Sequence, residues 1–486
     1  MRYPELLRVL SYRVGSGLAA GWQRTHHSAN KPEPGSALEA EVRETSGTLL
    51  GFSGYQWLVI AAGWAGWGFD VYDALLFNFV APNCIPALLH LPPGSAQAHS
   101  AVVFWTGAIT AVLLLSWAAG GVLFGWAADR LGRKRVLFAT ILVYALGTGL
   151  CALVSNLPQL ILCRTLASLG IGGEWGIGAA LIAESVPDAR RIAAGVIMQT
   201  ASPLGIMLAS AVNYQLAGVW FAGDPQNSWR YVFLAGLAPL VVAALVRLFL
   251  HESPQWQASR ARAAAAPTPR ALFSPQLRRA TVSGVFVAVT AVLTWWACNA
   301  FIPLLGGMLA REYALALHLA PEAARMLGAS WQARGANAFN FGGLVGALAV
   351  LPLAHCCSRR RLFVSYFLFA AAAIAATFGL ELAPQLRLQL LFFVGAGVYG
   401  VFGALTFYLP ELFPAAVRAT GAGFCYNIGR VLAAAGPLIV GAITAAAGGS
   451  SRSLTGILAW VALVPLLAAI LARWVVVETR GRPLVS

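Results

Sequence analysis

Three acidic residues stand deep inside apolar stretches of this sequence, where a carboxylate can do chemistry. Asp70 and Asp73 occur in "GFDVYDALL", and Glu174 is flanked by glycines in "GIGGEWGIG". A charge in hydrocarbon costs on the order of 3 kcal/mol or more, so each acid must face a cavity or a partner. Asp70 and Asp73 share one helix face, and neighbouring carboxyl groups resist double ionisation. This pattern predicts a proton carrier, or alternatively an acid that neutralises a buried arginine.

Two arginines, Arg164 and Arg430, also lie within apolar stretches. An unpaired buried cation is not tolerated, so Arg430 must either reach an acid such as Glu174 or bind an anion. Guanidinium binds carboxylate in a bidentate fork, so the second option predicts an organic acid as ligand. Polar and aromatic neighbours that could line such a site, or simply pack between helices, are Gln199, Trp295, Trp296, Asn299, Tyr399, Tyr408 and Asn427.

The elements that must position these residues are membrane helices. The chain has 486 residues, of which 59% are apolar and 10% charged, whereas soluble proteins carry about 25% charged residues. In lipid only helices or closed barrels satisfy the backbone, and these apolar runs are too long for barrel strands. We predict an all-α membrane protein with twelve transmembrane helices near 55–80, 103–127, 136–155, 157–184, 191–217, 229–250, 280–308, 335–354, 361–380, 386–410, 419–447 and 454–476.

The distribution of the basic residues predicts the orientation in the membrane. Most of the 33 Lys and Arg residues fall in the two terminal segments and in alternate loops. By the positive-inside rule that side is cytoplasmic, so both termini are expected in the cytoplasm and the chain in the plasma (inner) membrane. The net charge of +15 then reflects topology and attraction to anionic lipid, and a nucleic-acid partner is excluded because no basic soluble domain is present.

The two halves of the sequence repeat. "ESVPDARRIAAG" near the end of span four matches "ELFPAAVRATG" near the end of span ten, with Glu184 and Glu411 separated by 227 residues. Parallel repeats of this kind occur in transporters that rock two bundles about a central site. The predicted segments are a cytoplasmic N-terminal segment (1–54), two six-helix bundles (55–250 and 280–476), a cytoplasmic linker between them (251–279) and a cytoplasmic tail (477–486).

The stretch "GWAADRLGRKRV" (125–136) resembles the signature G-x-x-x-D-R-x-G-R-[KR] of the major facilitator superfamily. The resemblance implies a cytoplasmic gate that locks and unlocks during transport. The corresponding stretch of the second half has Cys356 and Cys357 where Asp and Arg would stand, so we expect a weaker gate there. The predicted gate residues are Gly125, Asp129, Arg130, Gly132, Arg133, Lys134, Glu184, Arg191, Glu411 and Arg418.

The stretches "HESPQW" (251–256) and "YLPELFPAAVRATGAGFCYNIGR" (408–430) resemble the sugar-porter-like branch of that superfamily. They look closest to the sialate, monocarboxylate and metabolite:proton symporters. The resemblance implies that Arg164, which begins an R-x-x-x-x-x-G pattern, takes part in proton coupling with Asp70, Asp73 and Glu174. It also implies a small-molecule substrate and, usually, a monomer.

The expected function is therefore proton-coupled symport of a small organic acid by alternating access. The proton gradient is the energy source, with no cofactor and no metal, because the sequence shows neither a P-loop nor a metal-ligand spacing. All seven histidines lie outside the spans or at their ends, which leaves proton transfer to carboxylates. Alternatives are a sugar or polyol symporter, in which Arg430 pairs with Glu174, and a membrane sensor that does not transport. An enzyme is not expected.

Overall fold

The computed structural model describes residues 51–187, 190–249, 272–414 and 417–480. The predicted segment 1–54 therefore lies almost wholly outside the described residues, as do most of the predicted linker and the end of the tail. Within the described ranges every regular element is a helix.

The helices of the first half follow one another through short connections. They are α1 (Gly54–Leu88), α2 (Ala96–Leu131), α3 (Arg133–Leu150), α4 (Leu157–Ser185), α5 (Arg191–Asn213, extended as a π-helix over Tyr214–Trp220), α6 (Ser228–Ala235) and α7 (Pro239–Phe249).

The helices of the second half show more interruptions. They are α8 (Arg278–Asn299), α9 (Ile302–Ala316), α10 (Pro321–Cys356), α11 (Arg359–Gly379), α12 (Pro384–Glu411), α13 (Arg418–Ala433), α14 (Ala435–Ala446), α15 (Ser451–Trp460) and α16 (Leu463–Val475).

Eleven segments of the described chain are long and apolar enough to cross a membrane. Each corresponds to one of the stretches that hydropathy predicts, with ends that shift because helices extend beyond the apolar core. The largest shift is in α10, which begins at Pro321, well before the predicted start near 335. The predicted fourth span coincides with the 29-residue helix α4, which is not among the eleven.

The two halves of the chain meet mainly in two contact regions. In the first α2 packs against α14 and α13, in the second α5 packs against α10, and smaller contacts join α1 to α9 and α5 to α12. In the sequence repeat, α2 corresponds to α10 and α5 corresponds to α13. The contact between α2 and α13 is therefore equivalent to the contact between α10 and α5. At the first contact a Cβ at Gly107 would overlap the carbonyl of Pro437, so a glycine is required for this close approach.

Candidate functional site

The carboxyl groups of Asp70 on α1 and Glu174 on α4 lie side by side near the middle of their helices. Both residues are buried, with 0% and 3% of their surface exposed. Gly66 provides the space, because a Cβ there would overlap Glu174 Oε1. Neither oxygen of Asp70 has a hydrogen-bond partner in the described part of the chain, nor has Glu174 Oε2. Two carboxylates this close in a low-dielectric site repel each other unless a proton is bound between them.

Asp73 lies in a separate cluster. Its charged neighbour is Arg164, and its Oδ1 lies against Gly236, at the connection between α6 and α7. Arg164 binds the backbone rather than the carboxylate: its Nη1 donates to the backbone carbonyl of Asp73 at 3.1 Å, and its Nη2 to that of Ala74 at 2.7 Å. The arginine thus ties α4 to the backbone of α1. The helical spacing predicts that Asp70 pairs with Asp73. In the structure the nearer acidic partner of Asp70 is Glu174.

Arg430 on α13 faces the first half of the chain. Its guanidinium stacks over the ring of Trp117 on α2 at 4.7 Å and over the ring of Tyr426 at 4.5 Å. Nη1 donates to Asn427 Oδ1 at 3.2 Å, as the predicted shared face requires. The acid whose charge acts on this cation is Asp70, with no hydrogen bond or ion pair between the two side chains. Arg430 therefore lies between the carboxyl pair and a wall of aromatic rings.

That wall is a chain of ring contacts contributed by both halves. It consists of Trp117–Trp296 (5.9 Å between ring centroids), Trp296–Trp295 (4.7 Å), Trp295–Tyr399 (5.5 Å), Trp295–Phe402 (6.0 Å) and Phe402–Tyr426 (6.5 Å). Arg430 closes the chain by stacking between Tyr426 and Trp117. We call these six aromatic residues and Arg430 the aromatic ring wall.

Four buried donors at this wall have no acceptor among the described residues. They are Trp117 Nε1, Trp295 Nε1 and Arg430 Nη2, together with Asn299 Nδ2 about one helical turn beyond Trp295 on α8. The side chains that carry them are each no more than 5% exposed. An unsatisfied buried donor costs about 1–3 kcal/mol, so an acceptor-rich ligand would be bound favourably here.

The remaining predicted wall residues divide into two groups. Gln199 is buried in α5, and the Tyr399 hydroxyl donates to Ser202 Oγ of α5, across the two halves. Tyr408 lies elsewhere: its hydroxyl is 2.7 Å from Ser283 Oγ and donates to the Val477 carbonyl at 2.9 Å. Tyr408 lies nine residues beyond Tyr399 on α12, a distance of about 13 Å along the helix axis. Tyr408 is therefore not part of the wall.

Much of the predicted gate lies outside the described side chains, namely Asp129, Arg130, Arg133, Glu184, Arg191 and Arg418. The backbone explains one glycine of the motif. Gly132 joins α2 to α3 with φ at 110°, in the left-handed region that favours glycine, and its N–H donates to the carbonyl of Ala128. Gly125 and Lys134 flank this turn on α2 and α3.

Part of the corresponding cluster of the second half lies among the described side chains. Arg359 donates two hydrogen bonds to the Glu411 carboxylate, from Nε at 3.0 Å and from Nη2 at 2.8 Å. Thr479 Oγ1 donates to the same carboxylate at 2.6 Å. Glu478 accepts the N–H groups of Arg359 and Arg360 at the start of α11, at 2.9 and 3.2 Å. The tail thus supplies an acid close to Cys356 and Cys357, and the expectation of a weaker gate in this half stays a prediction.

The contribution of the tail was not predicted, although the sequence contains a signal for it. Glu252 and Ser253 follow the sixth predicted span, and Glu478 and Thr479 follow the twelfth. Trp117, Tyr426 and Gly66 were also missed. An aromatic or small residue in a span is typical of packing and gives no separate signal.

At the opposite end of the bundle from the 125–136 turn lies a cavity of about 1280 Å³, which we call the vestibule. It extends between the two halves from their connecting loops down to Phe79 and Leu304. Below it, the buried Asn78 Nδ2 donates to the Ala300 carbonyl at 3.1 Å, where the break between α8 and α9 frees that oxygen. This contact joins α1 of the first half to the break between α8 and α9 of the second half.

Comparison with known proteins identifies the class. The family model described as "Sugar (and other) transporter" matches residues 72–271. The chain is 30% identical over 419 residues to a probable 4-methylmuconolactone transporter of Cupriavidus pinatubonensis, covering 86% of this chain and 90% of the relative. A cis,cis-muconate transport protein of Acinetobacter baylyi is 29% identical and aligns with 71% of this chain and 79% of its own length.

The fold also has solved relatives. The crystal structure of a D-xylose–proton symporter superposes with a TM-score of 0.67 at 17% identity, covering 88% of this chain and 99% of the other. The protein is therefore a multi-pass inner-membrane transporter of the major facilitator superfamily, and not an enzyme. Within that class, the chain belongs to the sugar (and other) transporter family.

Proposed function

We propose that this transporter is a proton-coupled symporter of a small organic acid, working by alternating access. The observation that carries the proposal is the position of Arg430. Its buried guanidinium presents a free Nη2 at the aromatic ring wall and faces the acid Asp70, which lies beside Glu174.

The proposed topology has twelve spans in two six-helix bundles, 55–250 and 280–476, with both termini in the cytoplasm. Helix α4 is the span that completes twelve, because its 29 residues correspond to about 43 Å of helix, more than the hydrocarbon thickness. The excess of Lys and Arg at the 125–136 end supports a cytoplasmic location of that end. The vestibule then opens to the outside.

The anion half of the proposal follows from unpaired donors. A bound carboxylate accepts hydrogen bonds from Arg430 Nη2 and from the nearby indole and amide donors. It also supplies the negative charge that balances Arg430. The guanidinium lies over the rings of Trp117 and Tyr426, so a carboxylate that binds it also lies close to aromatic rings. An acid whose carboxyl is conjugated to a flat group fits this arrangement best. Two relatives are named as a probable 4-methylmuconolactone transporter and a cis,cis-muconate transport protein. These names support this substrate class.

The proton half follows from Asp70. While ionised, Asp70 attracts Arg430 and competes with an incoming carboxylate for it. When a proton binds the Asp70–Glu174 pair, Arg430 loses this counter-charge and is available to the acid. Proton and acid therefore promote each other's binding, which is the thermodynamic requirement for symport. Asp73 and Arg164 brace α1 against α4 beside this pair.

The test uses proteoliposomes loaded with a pH dye and driven by an acid-outside gradient. The panel contains benzoate, sorbate, cis,cis-muconate, lactate, a sialic acid and D-xylose, each added alone. We expect proton entry with a planar carboxylate, loss of this signal in Arg430→Gln, and retention in Arg452→Gln, an exposed arginine far from the wall. Proton entry only with the neutral sugar would overturn the anion proposal, and no entry with any compound would favour a sensor.

A further inference from the structure

The vestibule is lined by more cations than acids. Arg230, Arg311 and Arg325 border it, whereas Asp224 is the acidic residue among the lining positions. Asp224 is itself covered by the amide of Asn227, which donates to both of its carboxylate oxygens at 3.3 and 3.0 Å. The described lining therefore has a net positive charge within apolar walls.

Two of these arginines are fixed by neutral acceptors, which leaves their charge uncompensated. Arg230 donates to the carbonyls of Ala152 and Val154 at 2.7 and 2.9 Å. Arg311 on α9 reaches across to the first half, where it bonds His99 Nε2 at 2.5 Å and the Gly94 carbonyl at 3.4 Å. Backbone carbonyls and a neutral imidazole hold a guanidinium in place without cancelling its field.

Arg325 on α10 is the third cation. It is exposed on the cavity lining, and the described residues show neither a hydrogen bond nor an ion pair to it. A cleft of one charge sign with low-dielectric walls concentrates ions of the opposite sign and raises their rate of association by about 10-fold or more. The vestibule therefore has the electrostatics of a collecting site for anions.

We propose that the vestibule is a second, outer site that captures small carboxylate anions before they reach the aromatic ring wall. The inference rests on the proposed function, because it assumes that the substrate is an anion arriving from this side. Arg325 supplies the free guanidinium that binds the carboxylate, and Arg230 and Arg311 supply the surrounding field. Binding here is weak, since water still reaches the site.

The potential of the vestibule can be measured without any substrate. Ala222→Cys places a thiol on the lining, and Ala383→Cys places one on an exposed loop at the same end of the bundle but outside the cavity. In intact cells, the rates of modification by an anionic and a cationic methanethiosulfonate reagent are compared at each position, after subtraction of the parent chain. We expect the anionic-to-cationic ratio to be at least about threefold higher at position 222. When Arg325→Glu is added, the anionic-to-cationic ratio should fall at position 222 and stay unchanged at position 383.

The second measurement is kcat/KM for the acid found by the panel, with Arg452→Glu as the matched charge reversal outside the cavity. We expect Arg325→Glu to lower kcat/KM about threefold or more at low salt, an effect that fades at high salt, and to leave kcat unchanged. Equal thiol ratios at 222 and 383, unaffected by Arg325→Glu, would overturn the inference even if acid transport is confirmed. A high ratio in a protein that transports only neutral sugar would instead overturn the proposed function and leave a positive vestibule.

Discussion

Arg430 of α13 and Trp117 of α2 stack at 4.7 Å across the contact between the two halves of the transporter. The arginine comes from one half and its aromatic support from the other. A movement that separates the halves must therefore break this stacking. The proposed ligand-binding cation is for this reason sensitive to the conformational state.

Replacement of Trp117 tests the support of the cation. Trp117→Leu removes the stacking and one unpaired donor, and we expect KM for the transported acid to rise roughly 3- to 30-fold, the range of a buried cation–π contact. Trp117→Phe keeps a ring and should lie closer to the wild type. The measurement is initial uptake of labelled acid into proteoliposomes. An unchanged KM in the leucine variant would remove Trp117 from the site.

Gly66 tests the placement of Glu174. Gly66→Ala puts a methyl group where Glu174 Oε1 now lies, and the flexible end of the side chain must move away from Asp70. We expect the variant to fold and to lose most proton-coupled uptake. The double variant Gly66→Ala/Glu174→Asp shortens the acid by one methylene and should recover part of it.

The control lies on the same helix. Gly54→Ala meets no atom within 4 Å and should transport like the wild type. If Gly66→Ala also transports normally, the contact between Glu174 and Asp70 is not required for coupling.

Replacement of Glu411 tests the cluster formed by Arg359, Glu411 and Thr479 in the second half. Glu411→Gln removes the negative charge that pairs with Arg359. It also replaces one of the two carboxylate oxygens that accept from Arg359 and Thr479, so the cluster should open more easily. We expect increased reactivity of a thiol at Cys356, which is exposed beside the cluster, toward a reagent added from the cytoplasmic side. Arg361→Gln changes an exposed arginine on the same helix and should leave the reactivity unchanged. Equal reactivity of all three proteins would contradict a gating role.

The tail carboxylate Glu478 gives a pH prediction. Burial alone would raise its pKa, but the N–H groups of Arg359 and Arg360 outweigh it and hold the pKa of Glu478 below its usual range. A pKa that is lower in the folded state means that this stabilisation is present above the unfolded pKa and is lost as the pH falls through the folded value. We expect Glu478→Gln to lower Tm in detergent at pH 7, and the difference from wild type to shrink below roughly pH 4. A constant difference across this range would show that Glu478 acts through packing rather than charge.

The spans, the repeat and the interior charges could be predicted from the sequence, because apolar length and buried charge are properties of single helices. The partner of Asp70 could not. Spacing along α1 shows that Asp70 and Asp73 share a face, but only the packing of α4 on α1 decides that Glu174 lies beside Asp70 and Arg164 beside Asp73. The same limit applies to Arg430, whose acid partner is Asp70 and whose aromatic support, Trp117, comes from a helix of the other half.

The contacts of the tail could not be predicted for a different reason. Residues 477–486 are short and polar, and such ends are normally poorly tied down. The sequence of Glu478 and Thr479 gives no local sign that they fold back on α11. Only the recurrence of Glu-Ser and Glu-Thr after each predicted bundle indicates a shared role.

The central claim is that Asp70 releases Arg430 to the acid when a proton binds. The most direct measurement is equilibrium binding of the labelled acid identified by the panel to purified protein, between pH 5.5 and 8, where a carboxylate such as benzoate remains ionised. We predict tighter binding to the wild type at low pH, pH-independent tight binding to Asp70→Asn, and no specific binding to Arg430→Gln. Asp70→Asn that keeps the pH dependence of the wild type, or Arg430→Gln that binds normally, would contradict the account.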